Sequence, residues 1–248
     1  MPASLIPLNV VQLDPSNLGS ADCDYIGLAD DGMEYAIKTT FKNPTAPAAE
    51  WFCHGLAALC HVAIPQYEKL TMPDKSLAFG SQWDGAAVND PKTKQDVING
   101  TAPTGHLPKQ LSVILAFDLF VYNTDRHIGN YLFVRTKSGY AVRAFDFSRA
   151  WTSNGWPPPN LILSPTSNTI NTYNGLKTKH PFELPVAKEL FDKLRKVPNS
   201  SIKSILDEIP APWMVDLLKS QLEIWWDSAD RMARINEIEK ELENGNII

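Results

Sequence analysis

The sequence predicts an α+β chain whose first third consists of short strands around one helix and whose remainder is mostly helical. Three observations carry this. An Asp-Gly turn joins two β-patterned runs near residue 31. A polar loop at 123–130 separates an apolar helix from a second pair of β-patterned runs. Toward the C-terminus, apolar residues recur at helical spacing for some thirty positions.

Taken in order, residues 8–13 read as a strand and Asp14-Pro15-Ser16-Asn17-Leu18-Gly19-Ser20 as a turn-rich loop. Strands follow at 23–29 and 33–39, joined by Asp30-Asp31-Gly32, where Asp and Gly tolerate positive φ. Pro44 and Pro47 introduce a helix over 48–62, with Trp51, Leu56, Leu59 and Val62 as its apolar stripe. A strand is expected at 76–82. Residues 84–108, small and polar, are read as connecting structure. Residues 111–122 form a helix apolar enough to be buried on most sides, and short strands are expected at 131–135 and 140–145 around Lys137-Ser138-Gly139. Residues 151–173, with Pro157-Pro158-Pro159, are read as an ordered loop. Helices then cover 186–196 and 201–208, and one long helix runs from Pro212 to about Glu243. Its buried stripe is Leu218, Leu222, Trp225, Ala229, Met232, Ile235, Ile238 and Leu242.

The bulk composition narrows the class. A chain of 248 residues suits one large domain or two small lobes sharing a cleft, and 44% hydrophobic content allows a core. The net charge of −5 argues against direct nucleic-acid binding and against anchoring on anionic lipid. The three cysteines, Cys23, Cys53 and Cys60, have no metal spacing and suggest a reducing cytoplasm, with Cys53 and Cys60 as two buried small hydrophobes on a helix. No basic leader and no apolar run of membrane-spanning length is evident, so a cytoplasmic protein is expected.

The chemistry concentrates in a few positions. Asp125 and Asn130 lie five apart in the loop after the apolar helix, and Asp146 lies sixteen beyond Asn130, at the far end of the predicted hairpin. Phosphoryl transfer uses such a set: a carboxylate to orient and deprotonate an attacking hydroxyl, and two hard oxygen ligands for magnesium. Tyr35-Ala36-Ile37-Lys38 matches the strand signature that offers a lysine to ATP phosphates, and Glu50 is the acidic residue on the following helix placed to hold it. Gly19 and Ser20 lie where a phosphate-covering loop belongs, although no G-x-G-x-x-G is present. The strand at 78–82 is where backbone groups would meet adenine. His127 is read as bracing its loop, and the tryptophans as core.

Asn123-Thr124-Asp125-Arg126-His127-Ile128-Gly129-Asn130, followed by Phe145-Asp146-Phe147-Ser148, resembles the catalytic and metal loops of HipA-like kinases. A similar Asp-Arg-His-x-x-Asn loop occurs in phosphoinositide-kinase-like enzymes. The resemblance implies a two-lobed, protein-kinase-like fold, with an N-lobe at 1–83 and a C-lobe at 84–248. It further implies a serine/threonine kinase in which Asp125 is the base, Asn130 and Asp146 bind Mg2+, and Lys38, Glu50, Gly19 and Ser20 serve ATP. As partners it implies a protein substrate, such as an aminoacyl-tRNA synthetase, and an antitoxin or accessory protein, with no membrane. Ser16 or Ser20 would be the position open to autophosphorylation. Two departures stand out: the chain is much shorter than full-length HipA, and Ser148 replaces the glycine that follows Asp-Phe in protein kinases. Two other functions stay open, a small-molecule or lipid kinase and a nucleotide-binding regulator without catalysis.

Overall fold

The computed structural model describes residues 6–15, 23–83, 87–88, 90–103, 105–158 and 164–247. The predicted α+β order holds, with strands toward the N-terminus and helices toward the C-terminus. Strands β1 (Leu8–Pro15), β2 (Tyr25–Ala29), β3 (Glu34–Lys38), β4 (Tyr67–Thr71) and β5 (Leu77–Gln82) close into a barrel in the order β1-β2-β3-β5-β4. All neighbours are antiparallel except β1 and β4, which pair in parallel through Leu8–Leu70 and Asn9–Thr71. Closure removes the exposed edges that five short strands would otherwise present.

The β2–β3 turn forms where the Asp-Gly signal placed it. Gly32 takes a φ of 81° and its N–H bonds the Ala29 carbonyl at 2.9 Å. The barrel interior is narrow, and Val10, Ala29, Tyr35, Ile37, Leu70, Met72 and Ala78 fill it. A Cβ on Gly80 would lie 2.5 Å from Leu70 Cδ1, so β5 needs glycine there for close approach. Strand β4 was not expected from the sequence. In Tyr67-Glu68-Lys69-Leu70-Thr71 only Leu70 is fully buried, so period-2 alternation is lost among charged side chains.

Helix α1 (Ala46–Leu59) begins two residues earlier than predicted and is buried from Ala46 to Ala57. Its small residues allow close packing on both sides, and a Cβ on Gly55 would meet Ile205 at 3.0 Å. The stretch read as connecting structure holds α2 (Pro91–Ile98). The Asp90 carboxylate caps it by accepting from Thr93 N at 2.7 Å, with Pro91 in the first turn. Only Val97 of that helix is buried, so no apolar period announces it.

Helix α3 (Leu107–Phe120) is apolar on nearly all sides, as expected for a helix inside a core. Strands β6 (Tyr131–Thr136) and β7 (Gly139–Ala144) pair from Tyr131–Ala144 to Thr136–Gly139. Part of the predicted loop at 151–173 is helical: one 3-10 turn at Trp151–Asn154, and the start of α4 (Asn168–Leu176). Ser167 caps α4 by accepting from Ile170 N, and Ile170, Tyr173 and Leu176 bury at helical spacing.

Helices α5 (Leu184–Lys196) and α6 (Asn199–Asp207) match their predictions closely. The long terminal helix does not form as one piece: α7 (Asp216–Asp227) and α8 (Ala229–Glu243) meet at Ser228. Ser228 is extended, accepts from Asp230 N at 3.1 Å and donates to the Trp225 carbonyl at 2.8 Å. The hydroxyl thus caps the second helix and ends the first. The expected stripe shifts accordingly: Ala229 is exposed, while Arg234 is buried and donates to the carbonyls of Leu119 and Phe120 at the end of α3. Among the described residues no helix is long and apolar enough to cross a membrane, and Cys23, Cys53 and Cys60 are buried thiols outside any disulfide.

Candidate active site

Lys38 is the last residue of β3, and its side chain turns inward with 1% exposure. Its ammonium lies 2.5 Å from Glu50 Oε1, 2.6 Å from Asp146 Oδ1 and 2.7 Å from Ser148 Oγ. An ammonium has three hydrogens, and here each has an oxygen. Glu50 Oε1 also accepts from Phe147 N at 2.7 Å and from the Ser148 hydroxyl at 3.1 Å. Glu50 is fully buried on α1, unlike a solvated first-turn glutamate. Strand β3, helix α1 and the 146–148 loop therefore meet at one ammonium.

Removing three charges from water at one point is costly unless they compensate one another. Burial works against the charged form of Lys38, but Asp146 and Glu50 outweigh it and hold the ammonium firmly protonated. Burial likewise opposes ionised Asp146, yet Lys38, with hydrogen bonds from Lys38 and Ser148, keeps its carboxyl well below the usual range. For Glu50 the balance differs. Burial pushes its carboxyl up, and the Asp146 charge adds to this against the pull of Lys38. One cation faces two carboxylates, so the cluster carries a formal surplus of negative charge. Asp146 itself adopts a φ of 66°, a left-handed conformation that Asp accepts more readily than most residues.

The loop at 123–130 is built around a different residue from the one the sequence suggested. Arg126 is fully buried and forks onto Asp118 of α3, with Nε 2.8 Å from Oδ2 and Nη2 2.9 Å from Oδ1. Its remaining nitrogen, Nη1, donates to the carbonyls of Asn130 (3.0 Å), Phe145 and Asp146 (3.2 Å). A single guanidinium thus holds the backbone at both predicted metal-binding residues. Asp118 also accepts from Asn123 Nδ2 at 2.9 Å. Phe147 packs beneath, its ring 4.6 Å from the guanidinium carbon and 5.2 Å from the His54 ring. His127 is exposed, and its Nδ1 accepts from Gly129 N at 3.1 Å, a local brace as expected, while Arg126 makes the longer-range contacts.

Asp125 is half-buried, and its Oδ1 accepts from Asn168 Nδ2 at 2.5 Å. Its carbonyl accepts from Asn130 Nδ2 at 2.9 Å. That bond orients the Asn130 amide and leaves Oδ1 as its donor atom toward a ligand. Asn130 and Asp146 together offer the oxygen chemistry that magnesium prefers, held at adjoining ends of the β6–β7 pair. Among the described residues no group of three or more His, Cys, Asp or Glu is placed to hold a metal ion.

Lys38, Glu50, Asp125, Asn130 and Asp146 are therefore brought into one connected network. Gly19, Ser20 and Ser16 lie outside the described residues. The expectation of adenine contacts on residues 78–82 is corrected. That stretch lies within β5, which is bonded to β3 on one side and β4 on the other, so its backbone groups belong to the barrel. Sequence reasoning missed Asp118, Asn168 and Thr169, and read Arg126 and Ser148 only as parts of a motif. Asp118 did leave a signal, as the single charged residue in the apolar run 113–122.

A protein-family model described as HipA-like kinase matches residues 14–243. No curated protein matches the chain. Among solved structures, the Helicobacter pylori proinflammatory kinase CtkA is similar at 15% identity and a TM-score of 0.63, covering 94% of this chain and 97% of that one. The likeness to CtkA establishes a shared fold. HipA of Shewanella oneidensis MR-1, solved with HipB and operator DNA, gives 11% identity and a TM-score of 0.47, covering 93% of this chain and 65% of that one. The N-terminal 618-residue fragment of LepB from Legionella pneumophila gives 16% identity and a TM-score of 0.44, covering 86% and 44%.

Proposed function

The chain belongs to the HipA-like kinase family, and on that basis we propose that it transfers the γ-phosphoryl group of ATP, with Mg2+, to a serine or threonine hydroxyl of a cytoplasmic protein. The observation that carries this reading is the meeting of Lys38, Glu50 and Asp146 within 2.6 Å contacts, beside a loop that presents Asp125 and Asn130. In this reading the chain has two lobes, 1–83 and 84–248, with the nucleotide in the cleft between them.

Each residue then has a task its environment suits. Glu50 holds Lys38, whose ammonium contacts the phosphates. Asn130 and Asp146 would hold the magnesium ion, which would supply neutralisation of the charge on the phosphates. Asp125 accepts the proton of the attacking hydroxyl as its oxygen bonds the γ-phosphorus and ADP departs. Gly19 and Ser20 serve the ATP phosphates, and Ser16 or Ser20 is the proposed autophosphorylation site.

The decisive experiment compares ATP turnover and autophosphorylation of the wild type with Asp125→Ala. Loss of a group that orients and deprotonates the nucleophile predicts a fall of about 10³-fold in rate. Equal rates in both proteins would remove Asp125 from the mechanism. Labelled ATP offered to lysate proteins and to metabolite pools would separate a protein kinase from a small-molecule kinase. A toxin role predicts growth arrest on expression that Asp125→Ala abolishes and a co-expressed antitoxin relieves.

A further inference from the structure

Asp125 lies on the 123–130 loop, but the side chain that holds its carboxylate comes from 43 residues further along. Asn168 Nδ2 donates to Asp125 Oδ1 at 2.5 Å. The next residue, Thr169, is fully buried and fastens the same loop by its backbone: its Oγ1 accepts from Arg126 N at 3.0 Å and donates to the Asn123 carbonyl at 2.5 Å. Both residues open α4, whose position is fixed by the Ser167 cap and by burial of Ile170 and Tyr173. Among the described residues Asp125 Oδ2 has no partner, so the carboxylate is held by one oxygen and free at the other.

We propose that Asn168 is a positioning residue for Asp125: its amide fixes Oδ1 so that Oδ2 faces the acceptor hydroxyl, with Thr169 anchoring the clamp to the loop backbone. This deepens the kinase reading and rests on it. A carboxylate on a half-buried loop can rotate about two side-chain bonds. A charge-assisted hydrogen bond from a helix-borne amide removes most of that freedom and places the base before substrate arrives. An exposed asparagine beginning a helix, with its side chain turned away from its own cap, has little other work to do. The helix cap is already supplied by Ser167.

The test uses two variants of the full chain. Asn168→Ala removes the donor. Asn168→Asp keeps the size and replaces the donor by an acceptor, at a helix start where a carboxylate favours the helix dipole. If Asn168 acts through Asp125, both variants lose about 10- to 100-fold in kcat for ATP turnover or autophosphorylation, the scale of one hydrogen bond to a charged group. The KM for ATP stays within about two-fold, because the nucleotide contacts lie elsewhere. A merely structural role predicts the reverse for Asn168→Asp, with normal kcat and equal or higher thermal stability. A second readout needs no activity: the side-chain amide resonances of Asn168 in a 1H–15N spectrum should move on Asp125→Ala. Wild-type kcat in Asn168→Asp, or amide resonances unmoved by Asp125→Ala, would overturn the proposal. A wild type without phosphotransfer but with the amide shift would instead sink the kinase reading and leave the contact intact.

Discussion

Replacing Arg126 by methionine would remove a side chain that is fully buried and makes five hydrogen-bonding contacts, two to Asp118 and three to the carbonyls of Asn130, Phe145 and Asp146. Methionine has similar length and no charge, so little volume is lost. What remains is the Asp118 carboxylate, fully buried, keeping among the described residues only Asn123 Nδ2 as a side-chain donor at 2.9 Å. Stranding one partner of a buried ion pair costs about 3–5 kcal/mol. In a chain of this size that lowers the thermal midpoint by about 10 °C. Urea unfolding, followed by the fluorescence of the seven tryptophans, would measure it directly. Arg126→Lys should recover little, because an ammonium cannot fork onto both carboxylate oxygens and reach three carbonyls. Arg126→Met combined with Asp118→Ala should cost less than the sum of the two single changes by about 2 kcal/mol or more, since the second removes the stranded charge. Additive costs, or a single Arg126→Met within about 1 kcal/mol of wild type, would refute the account of the loop as built on this pair.

His54 is buried against Tyr67, Phe79 and Phe147, and burial pulls its imidazole down from the ordinary 6.5 to about 3. Between those values the unfolded chain binds the extra proton, so the stability contributed by neutral His54 is complete above pH 6.5 and falls as pH drops. The loss is about 1.4 kcal/mol per unit, near 2 kcal/mol at pH 5.0. Comparing urea midpoints of wild type and His54→Gln from pH 7 to 5 checks this: identical slopes would show that His54 does not carry the effect. Ser148→Ala leaves both Lys38 and Glu50 one partner short in a buried cluster, and should destabilise the chain by about 1.5–3 kcal/mol. A change under about 0.5 kcal/mol would mean the hydroxyl does not bridge them.

Much of the fold was legible because local patterns and long-range contacts agreed. The β2–β3 turn needed only Asp-Gly chemistry, α3 announced itself by apolar residues on every side, and the spacing of Asp125, Asn130 and Asp146 followed from one short hairpin. The misses share a cause. Strand β4 is recruited by β1 and β5 rather than by its own alternation, α2 buries one side chain, and Ser228 divides a continuous apolar stripe by a hydroxyl that bonds backward and forward. In each case a few atoms decide what composition over a window cannot register.

The site divides the same way. By itself the sequence determined which side chains could do phosphoryl chemistry and in what order they come, because residue type sets donor, acceptor and charge. The tertiary structure alone decided who holds them: Ser148 between Lys38 and Glu50, Arg126 beneath Asn130 and Asp146, Asn168 on Asp125. Such contacts join residues as far as 110 positions apart, and a hydrogen bond depends on ångström-scale distance and direction, which only the folded chain fixes.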